Sequence, residues 1–107
     1  MNVIIETPFS GDQIKNKAYA RECMLDSLNR GESPFLSHLL YTQVLDDNDP
    51  RQRKLGIEAG LAFGKLCDKT VVYTDLGISH GMDIGIFEAE ECGRPIEMRT
   101  LPFRPKK

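Results

Sequence analysis

The sequence predicts an α/β fold: a three-layer sandwich with a Rossmann- or flavodoxin-like parallel sheet of about four strands between flanking helices. Short apolar, β-branched runs alternate along the chain with stretches of helical periodicity, in the order βαβαβαβ. Strands that alternate with helices in this way pair in parallel through right-handed crossovers. A chain of 107 residues suffices for one core, so we expect one domain over residues 1–100 and a short basic tail over residues 101–107.

The first half of the chain contains two predicted strands and one predicted helix. A strand is predicted over Asn2–Glu6, which carries three consecutive β-branched residues, and the turn residues of Thr7–Asp12 end it. A helix is predicted over Gln13–Arg30 because apolar residues recur there at helical spacing. The residues that form this apolar face are Ile14, Ala18, Leu25 and Leu28. Ser33–Leu36 is a second, weakly marked strand.

The second half begins with an irregular stretch, His38–Asp49. A helix is predicted to start at Pro50, because proline loses no needed hydrogen bond at the first helical position, and to run to about residue 66. The residues that form its apolar face are Leu55, Ala59, Ala62 and Leu66. The remaining predicted elements are a strand over Thr70–Thr74, a helix over His80–Cys92 and a strand over Ile96–Arg99.

Composition and charge argue against several classes of protein. A formal net charge of −2 is unlike the cationic surface that non-specific nucleic-acid binding needs, and the basic end Arg104–Lys107 is too short to change this. No signal peptide is recognisable, and no apolar run approaches the roughly 18 residues of a membrane span. Cys23, Cys67 and Cys92 form neither a CxxC pair nor a zinc spacing, and are expected to be buried thiols. We therefore expect a cytoplasmic protein with no nucleic-acid and no membrane partner.

The second predicted helix carries three glycines spaced by four residues, Gly56, Gly60 and Gly64. Each glycine weakens a helix interior by about 0.8–1.0 kcal/mol relative to alanine. Because all three glycines share one helix face, the absence of side chains on that face permits another backbone to approach closely. Two interpretations stay open at this point: tight packing of the helix on its own sheet, or a helix–helix contact in a homodimer or higher homo-oligomer.

The turn between the third strand and the third helix is a candidate ligand site. A strand that feeds a helix through a glycine-containing turn directs the free N–H groups of the helix toward the carboxyl edge of the sheet, where anions bind. Ser79 is the expected N-cap, and its hydroxyl is suited either to the helix or to a phosphate. The alternative is a plain strand–helix turn without a ligand.

Both histidines are candidates for the same rim. His38 follows the second strand, and His80 opens the third helix, where the helix dipole disfavours the imidazolium form. Parallel topology places both beside Tyr41 and Asp75. The alternative is that His38 is structural and His80 is merely exposed. No metal is predicted, because no third ligand stands at a defined spacing.

Several short motifs together resemble the nucleoside 2-deoxyribosyltransferase-like family, which includes 2-deoxynucleoside 5′-monophosphate N-glycosidases and many small, often phage-encoded proteins. The motifs are Thr7-Pro8-Phe9-Ser10-Gly11, an early helix with Asn16 and Ala20, Gly31 and Pro34 before Ser37-His38, a Ser-x-Gly helix start, and Gly93-Arg94-Pro95. The resemblance covers residues 3–97. It implies that the early turn and the helix start bind the sugar and phosphate of a nucleotide, through Pro8, Phe9, Ser10, Ser79 and Gly81.

One position departs from the family pattern. Active members carry a nucleophilic glutamate nine residues before the basic residue of the Gly-Lys/Arg-Pro motif, and here that position is Gly85. The covalent glycosyl intermediate therefore has no obvious carrier. Asp75, Asp83 and Glu58 are weak substitutes, and loss of nucleophilic catalysis is the favoured interpretation.

These observations lead to a hypothesis of function: the domain binds, and by binding sequesters, a nucleotide or a nucleotide-derived signal molecule. The alternatives are an N-glycosidic hydrolase or transferase acting on nucleosides or nucleotides, and a protein-binding scaffold. Neither a cofactor nor a metal is expected. The predicted ligand-binding residues are Pro8, Phe9, Ser10, Gly11, His38, Tyr41, Asp75, Gly77, Ser79, His80, Gly81 and Met82.

Overall fold

Four parallel strands form one sheet in a computed structural model that describes residues 1–102. The strands are β1 (Asn2–Glu6), β2 (Ser33–Phe35), β3 (Lys69–Tyr73) and β4 (Ile96–Arg99), and their spatial order is β2-β1-β3-β4. Every neighbouring pair is parallel, so the predicted α/β class and parallel sheet are confirmed. The predicted basic end, Arg104–Lys107, lies outside the described residues.

The helices are α1 (Gln13–Asn29), α2 (Ser37–Leu40), α3 (Pro50–Gly64) and α4 (His80–Cys92), with a 3-10 turn at Tyr41–Gln43. Side chains cap the three longer helices, because the side-chain oxygens of Asp12, Asp49 and Ser79 accept first-turn backbone N–H groups. The expectation of an irregular stretch over His38–Asp49 is wrong for its first residues, which form α2 and the 3-10 turn. Both elements are too short to show a helical period.

The buried face of α1 is not the apolar face that the spacing indicated. Ile14, Leu25 and Leu28 are 86%, 59% and 52% exposed, and Ala18 is also exposed. The residues that point to the sheet are Asn16, Tyr19, Ala20, Cys23 and Ser27. Their polar groups are satisfied internally: the Asn16 side-chain amide donates to the carbonyls of Phe9 and Ser10. Hydrophobic periodicity therefore assigned this helix the wrong face.

The predicted buried face of α3 is also wrong, because the structure buries the glycine face instead. Leu55 and Leu66 are exposed, whereas Gly60 and Gly64 are buried. A Cβ at Gly60 would lie 3.1 Å from the Ser37 Cβ, and one at Gly64 would lie 3.1 Å from the Ile4 Cδ1. The close approach that the glycines permit is thus made within the chain itself.

Strand alternation divides the side chains between two layers. Val3, Ile5, Val71 and Tyr73 pack with α1, while Ile4, Glu6, Thr70 and Val72 face α3 and α4. Glu6 is the last residue of the inner strand β1, so its carboxyl group lies under α4 at the carboxyl edge of the sheet. Of the cysteines, only Cys23 is buried; Cys67 is half-buried and Cys92 is exposed.

A charged cluster completes the α1 side of the sheet. Arg99 donates bidentately to Glu32, at 2.9 Å for each pair of atoms, and also to Glu97 and Tyr73. Lys69 pairs with both glutamates. Within residues 1–102, no helix has the length and the apolar character that crossing a membrane requires.

Candidate ligand-binding cleft

A cleft opens at the carboxyl edge of the sheet. Its walls come from the loop after β1, the segment from α2 to the 3-10 turn, the glycine face of α3 and the first turns of α4. Glu6 and Ile4 contribute to it from β1. This is the edge at which the sequence predicted a ligand.

The cleft contains half of the predicted ligand-binding residues. Those that line it are Phe9, Ser10, His38, Tyr41, Ser79 and Gly81. Those that do not are Pro8, Gly11, Asp75, Gly77, His80 and Met82. Met82 is fully buried in α4, and His80 is exposed, so the two imidazoles do not share the cleft.

The three weak catalytic candidates all lie outside the cleft. The Asp75 carboxylate accepts a hydrogen bond from the Tyr19 hydroxyl at 2.6 Å and another from the Leu101 N–H at 3.1 Å. Glu58 is exposed and lies 4.0 Å from Lys54 on the outer side of α3. Asp83 is exposed in the first turn of α4. Each of these carboxylates has a structural or solvent-facing environment.

His38 forms part of the cleft wall as a neutral imidazole. Its ring stacks on Phe9 with the centroids 5.3 Å apart and an interplanar angle of 17°. Burial lowers the pKa of His38, although Asp47 and a hydrogen bond to the backbone of Thr7 oppose the change. His38 therefore offers the cleft an uncharged ring with one nitrogen already engaged.

The start of α4 lies at the cleft and carries free backbone donors. The Ser79 hydroxyl accepts from the Met82 N–H at 3.3 Å, and the Met82 thioether accepts from the Ser79 N–H at 3.3 Å. Ser79 thus caps the helix as predicted. The N–H groups of His80 and Gly81 are too early in the helix for intrahelical partners, and they lie at the positive end of the helix dipole.

Glu6 is a charged cleft residue that sequence reasoning missed. It was assigned only to the end of a strand, yet its side chain lines the cleft floor at 9% exposure. Burial raises the pKa of Glu6 to about 8, with Glu88 adding to the effect and Arg94 opposing it. The available signal was a charged residue in alternation with Ile4 at the carboxyl end of an otherwise apolar strand.

Arg53 is a second missed residue and the cation of the cleft wall. It lies on the inner face of α3, three residues before Gly56, and its Nε is 3.8 Å from the Asp47 carboxylate. Residues three apart share a helix face, so Arg53 lies on the same face as the glycines. The sequence would have predicted Arg53 at the cleft if the glycine face had been recognised as the buried one.

The parallel four-stranded sheet with its flanking helices is a deoxyribosyltransferase-like α/β fold. Three solved structures share the fold. The 2-deoxyribosyltransferase of Bacillus psychrosaccharolyticus aligns with a TM-score of 0.66 at 15% identity, over 100% of this chain and 77% of its own. The CMP N-glycosidase of Clostridium botulinum gives 0.57 at 16% identity, over 94% and 71%. The 2-deoxyribosyltransferase of Leishmania mexicana gives 0.60 at 14% identity, over 97% and 67%.

Residues 1–99 match the family described as Domain of unknown function (DUF7768), and the chain belongs to that family. No curated protein matches the sequence. The resemblance to the deoxyribosyltransferase-like group is thereby confirmed at the level of fold.

Proposed function

We propose that the cleft binds an anionic nucleotide, with its phosphate at the start of α4 and its base beside Tyr41. The observation that carries this proposal is the joint presence of a helix N-terminus and an accessible aromatic ring in one cleft. Backbone N–H groups and the helix dipole favour a phosphate at Ser79–Gly81. Arg53 adds a guanidinium group to the same cleft, suited to a phosphate oxygen.

Tyr41 is a better platform for a base than Phe9. Phe9 is 7% exposed, and His38 covers one face of its ring. Tyr41 is half-buried, and its ring meets Phe35 edge-on with the centroids 5.9 Å apart, which leaves ring surface toward the cleft. Stacking of a base on such a ring contributes about 1–3 kcal/mol where it has been measured.

Sequestration is the proposed use of this binding. The position that resembles the family nucleophile is Gly85, and none of Asp75, Asp83 and Glu58 lines the cleft. None of these four positions places a carboxylate in the cleft, which supports binding without a covalent sugar intermediate. The names of the structural neighbours, deoxyribosyltransferases and a CMP N-glycosidase, support a nucleotide as the class of ligand.

The proposal is tested by recovering the ligand. The protein is incubated with a panel of nucleotides that includes CMP, cyclic dinucleotides and ADP-ribose derivatives, washed, and heated to release what it holds. Chromatography should return an intact nucleotide. Free base would instead support the alternative function, a glycosidase. If no nucleotide of the panel is retained or cleaved, the protein-binding scaffold is the hypothesis that remains.

A pair of variants on one helix locates the phosphate. Ser79→Asp should weaken binding of the recovered nucleotide at least tenfold, because a carboxylate then stands where the phosphate is proposed. Asp83→Asn changes an exposed carboxylate one turn further along and should leave affinity nearly unchanged. Equal affinity of Ser79→Asp and the wild type would remove the phosphate from this position.

A further inference from the structure

We propose that Glu6 contacts the bound nucleotide from the cleft floor as a neutral carboxylic acid that donates a hydrogen bond to the sugar or the base. This inference rests on the proposed function and deepens it, since it names the part of the nucleotide that the floor recognises. It stands on four features of the Glu6 surroundings: the missing partner, the space made by Gly85, the nearby charges and the distance from the helix start.

The Glu6 carboxyl group has no hydrogen-bond partner among residues 1–102. It is nevertheless 9% exposed and faces the cleft. Buried polar groups in folded proteins are nearly always paired, because an unpaired one loses its hydration without compensation. A ligand that enters the cleft is the natural supplier of the missing partner.

Gly85 makes the space that this carboxyl group occupies. A Cβ built at Gly85 would lie 2.8 Å from the Glu6 Oε1, and closer still to the Cδ and Oε2 atoms. Any side chain at this turn of α4 would thus displace the carboxyl group. Glu6 and Gly85 form a matched pair in which the strand, rather than the helix, supplies the carboxyl group of the cleft floor.

The charges around Glu6 do not offset the effect of its burial. The Arg94 guanidinium lies near it but donates to the Thr70 hydroxyl, the Gly64 carbonyl and the Glu88 carboxylate. Glu88, on α4, repels a second negative charge.

Among the described residues, no cation other than Arg94 acts on the pKa of Glu6. His38, in α2, is neutral, and Arg53 on α3 is paired with Asp47. Burial thus raises the pKa of Glu6 to about 8, and the protonated form predominates at neutral pH.

The helix geometry separates the carboxyl group from the proposed phosphate site. Gly85 stands six residues after Ser79, which corresponds to about 9 Å along the helix axis. Glu6 therefore reaches the part of a nucleotide beyond its phosphate. A carboxylic acid offers one donor and one acceptor, which complements a sugar hydroxyl or the polar edge of a base.

The test compares Glu6→Gln with Glu6→Ala by calorimetry, with CMP as the probe. Glutamine keeps one donor and one acceptor but cannot ionise. We expect Glu6→Gln to bind within about twofold of the wild type at pH 7, and Glu6→Ala to bind at least tenfold more weakly. Between pH 7 and pH 9 the wild type should lose about tenfold in affinity, because only the protonated fraction is competent.

Glu6→Gln is the control for every other group that titrates in this range, the phosphate included, and it should lose little. Ribose 5-phosphate, which has no base, shows whether Glu6 contacts the sugar or the base. If Glu6 contacts the sugar, Glu6→Ala also weakens the binding of ribose 5-phosphate; if Glu6 contacts the base, the wild type and Glu6→Ala bind this probe equally. For the wild type alone, the ¹³C shift of the Glu6 Cδ should report a protonated carboxyl at pH 7 with CMP bound.

Three results would overturn the inference while leaving nucleotide binding intact. They are equal affinity of the wild type and Glu6→Ala, loss of binding in Glu6→Gln as severe as in Glu6→Ala, and release of cytosine by the wild type but not by Glu6→Gln. The last would make Glu6 a catalytic residue instead. Failure of the wild type to bind CMP or any panel nucleotide would overturn the proposed function together with this inference.

Discussion

At the scale of single residues, the carboxyl group of the cleft floor comes from a strand residue, Glu6, and not from the helix position Gly85. Glu6 ends β1 and fills the space that a side chain at Gly85 would need. Neither residue is informative alone, since a glutamate at a strand end and a glycine in a helix are both common. Their contact gives the cleft floor a carboxyl group whose ionisation is linked to folding.

The first prediction concerns the pH dependence of stability. The folded protein holds a proton on Glu6 up to about pH 8, whereas the unfolded chain releases it near pH 4.5. Stability from this group is complete below pH 4.5 and is lost as the pH rises toward 8, by about 1.4 kcal/mol per pH unit. Glu6→Gln should flatten this fall, as measured by urea unfolding between pH 5 and 8. Parallel curves for the two proteins would contradict the assignment.

The second prediction concerns the contact between Glu6 and Gly85. Gly85→Ala should destabilise the protein by about 1–3 kcal/mol, because the added methyl group overlaps the carboxyl group. In a Glu6→Ala background the same change should cost little or should stabilise, since alanine favours the helix. The double-mutant cycle measures the coupling, and additive effects would show that the two side-chain positions do not compete for space.

At the scale of elements, two helices place small or polar residues inward. α1 buries Asn16, Tyr19 and Ser27, and α3 buries Gly60 and Gly64. In both helices the exposed apolar residues recur at helical spacing, and this spacing predicted that their face would be buried. Close approach to the sheet and satisfied polar contacts decided these orientations, rather than the total hydrophobicity of a face.

The third prediction concerns the glycine face of α3. Gly60→Leu should destabilise the folded protein by more than about 2 kcal/mol, because Ser37 lies at contact distance and a larger side chain overpacks the interface. Ala62→Leu is the matched control, since Ala62 is exposed on the same helix and should change stability by less than about 0.5 kcal/mol. Thermal unfolding compares them, and equal midpoints would mean that α3 is not held closely at Gly60.

The homodimer or higher oligomer remains a prediction. The glycine face contacts Ser37, Ile4 and Arg94 of the same chain, so it does not supply the proposed contact. Sedimentation of the wild type at micromolar concentration tests the assembly directly. A monomer at that concentration would remove the prediction.

At the scale of the whole molecule, buried charge joins segments that are distant in sequence. Arg99 of β4 bridges Glu32, which precedes β2, and Glu97. Hydrogen bonds from Arg99 hold the pKa of both carboxyl groups down to about 2, and Lys69 contributes as well. Because Arg99 is 5% exposed at its side chain, it has little access to water if these partners are lost.

The fourth prediction follows from this cluster. The Glu32 carboxylate stabilises the folded state fully above pH 4.5, and that stabilisation is lost as the pH falls toward 2. Glu32→Gln should therefore destabilise the protein by about 2–3 kcal/mol at pH 7, since Arg99 loses its bidentate partner but keeps Glu97. The difference from the wild type should shrink below pH 4.5 and vanish near pH 2 in an acid titration followed by circular dichroism. A constant difference at all pH values would contradict the ion pair as its cause.

Local signals in the sequence determined the class of fold and most element boundaries. β-Branched runs, capping residues and the Asp49-Pro50 helix start act over a few residues, so Asn2–Glu6, His80–Cys92 and Ile96–Arg99 were predicted with the bounds observed. Parallel pairing then placed Phe9, His38, Tyr41 and Ser79 at one edge of the sheet. These inferences needed no knowledge of which side chains meet.

The tertiary structure decided which helix faces are buried and which residues complete the cleft. Burial depends on surfaces brought together from distant segments, and here the sheet accepts glycines and hydrogen-bonded polar groups in preference to exposed leucines. For the same reason Asp75, which was expected in the cleft, accepts a hydrogen bond from Tyr19 and lies outside the cleft. Glu6, which was expected only to end a strand, lines the cleft. A side chain's environment is set by its neighbours in space, and the sequence alone lists only its neighbours along the chain.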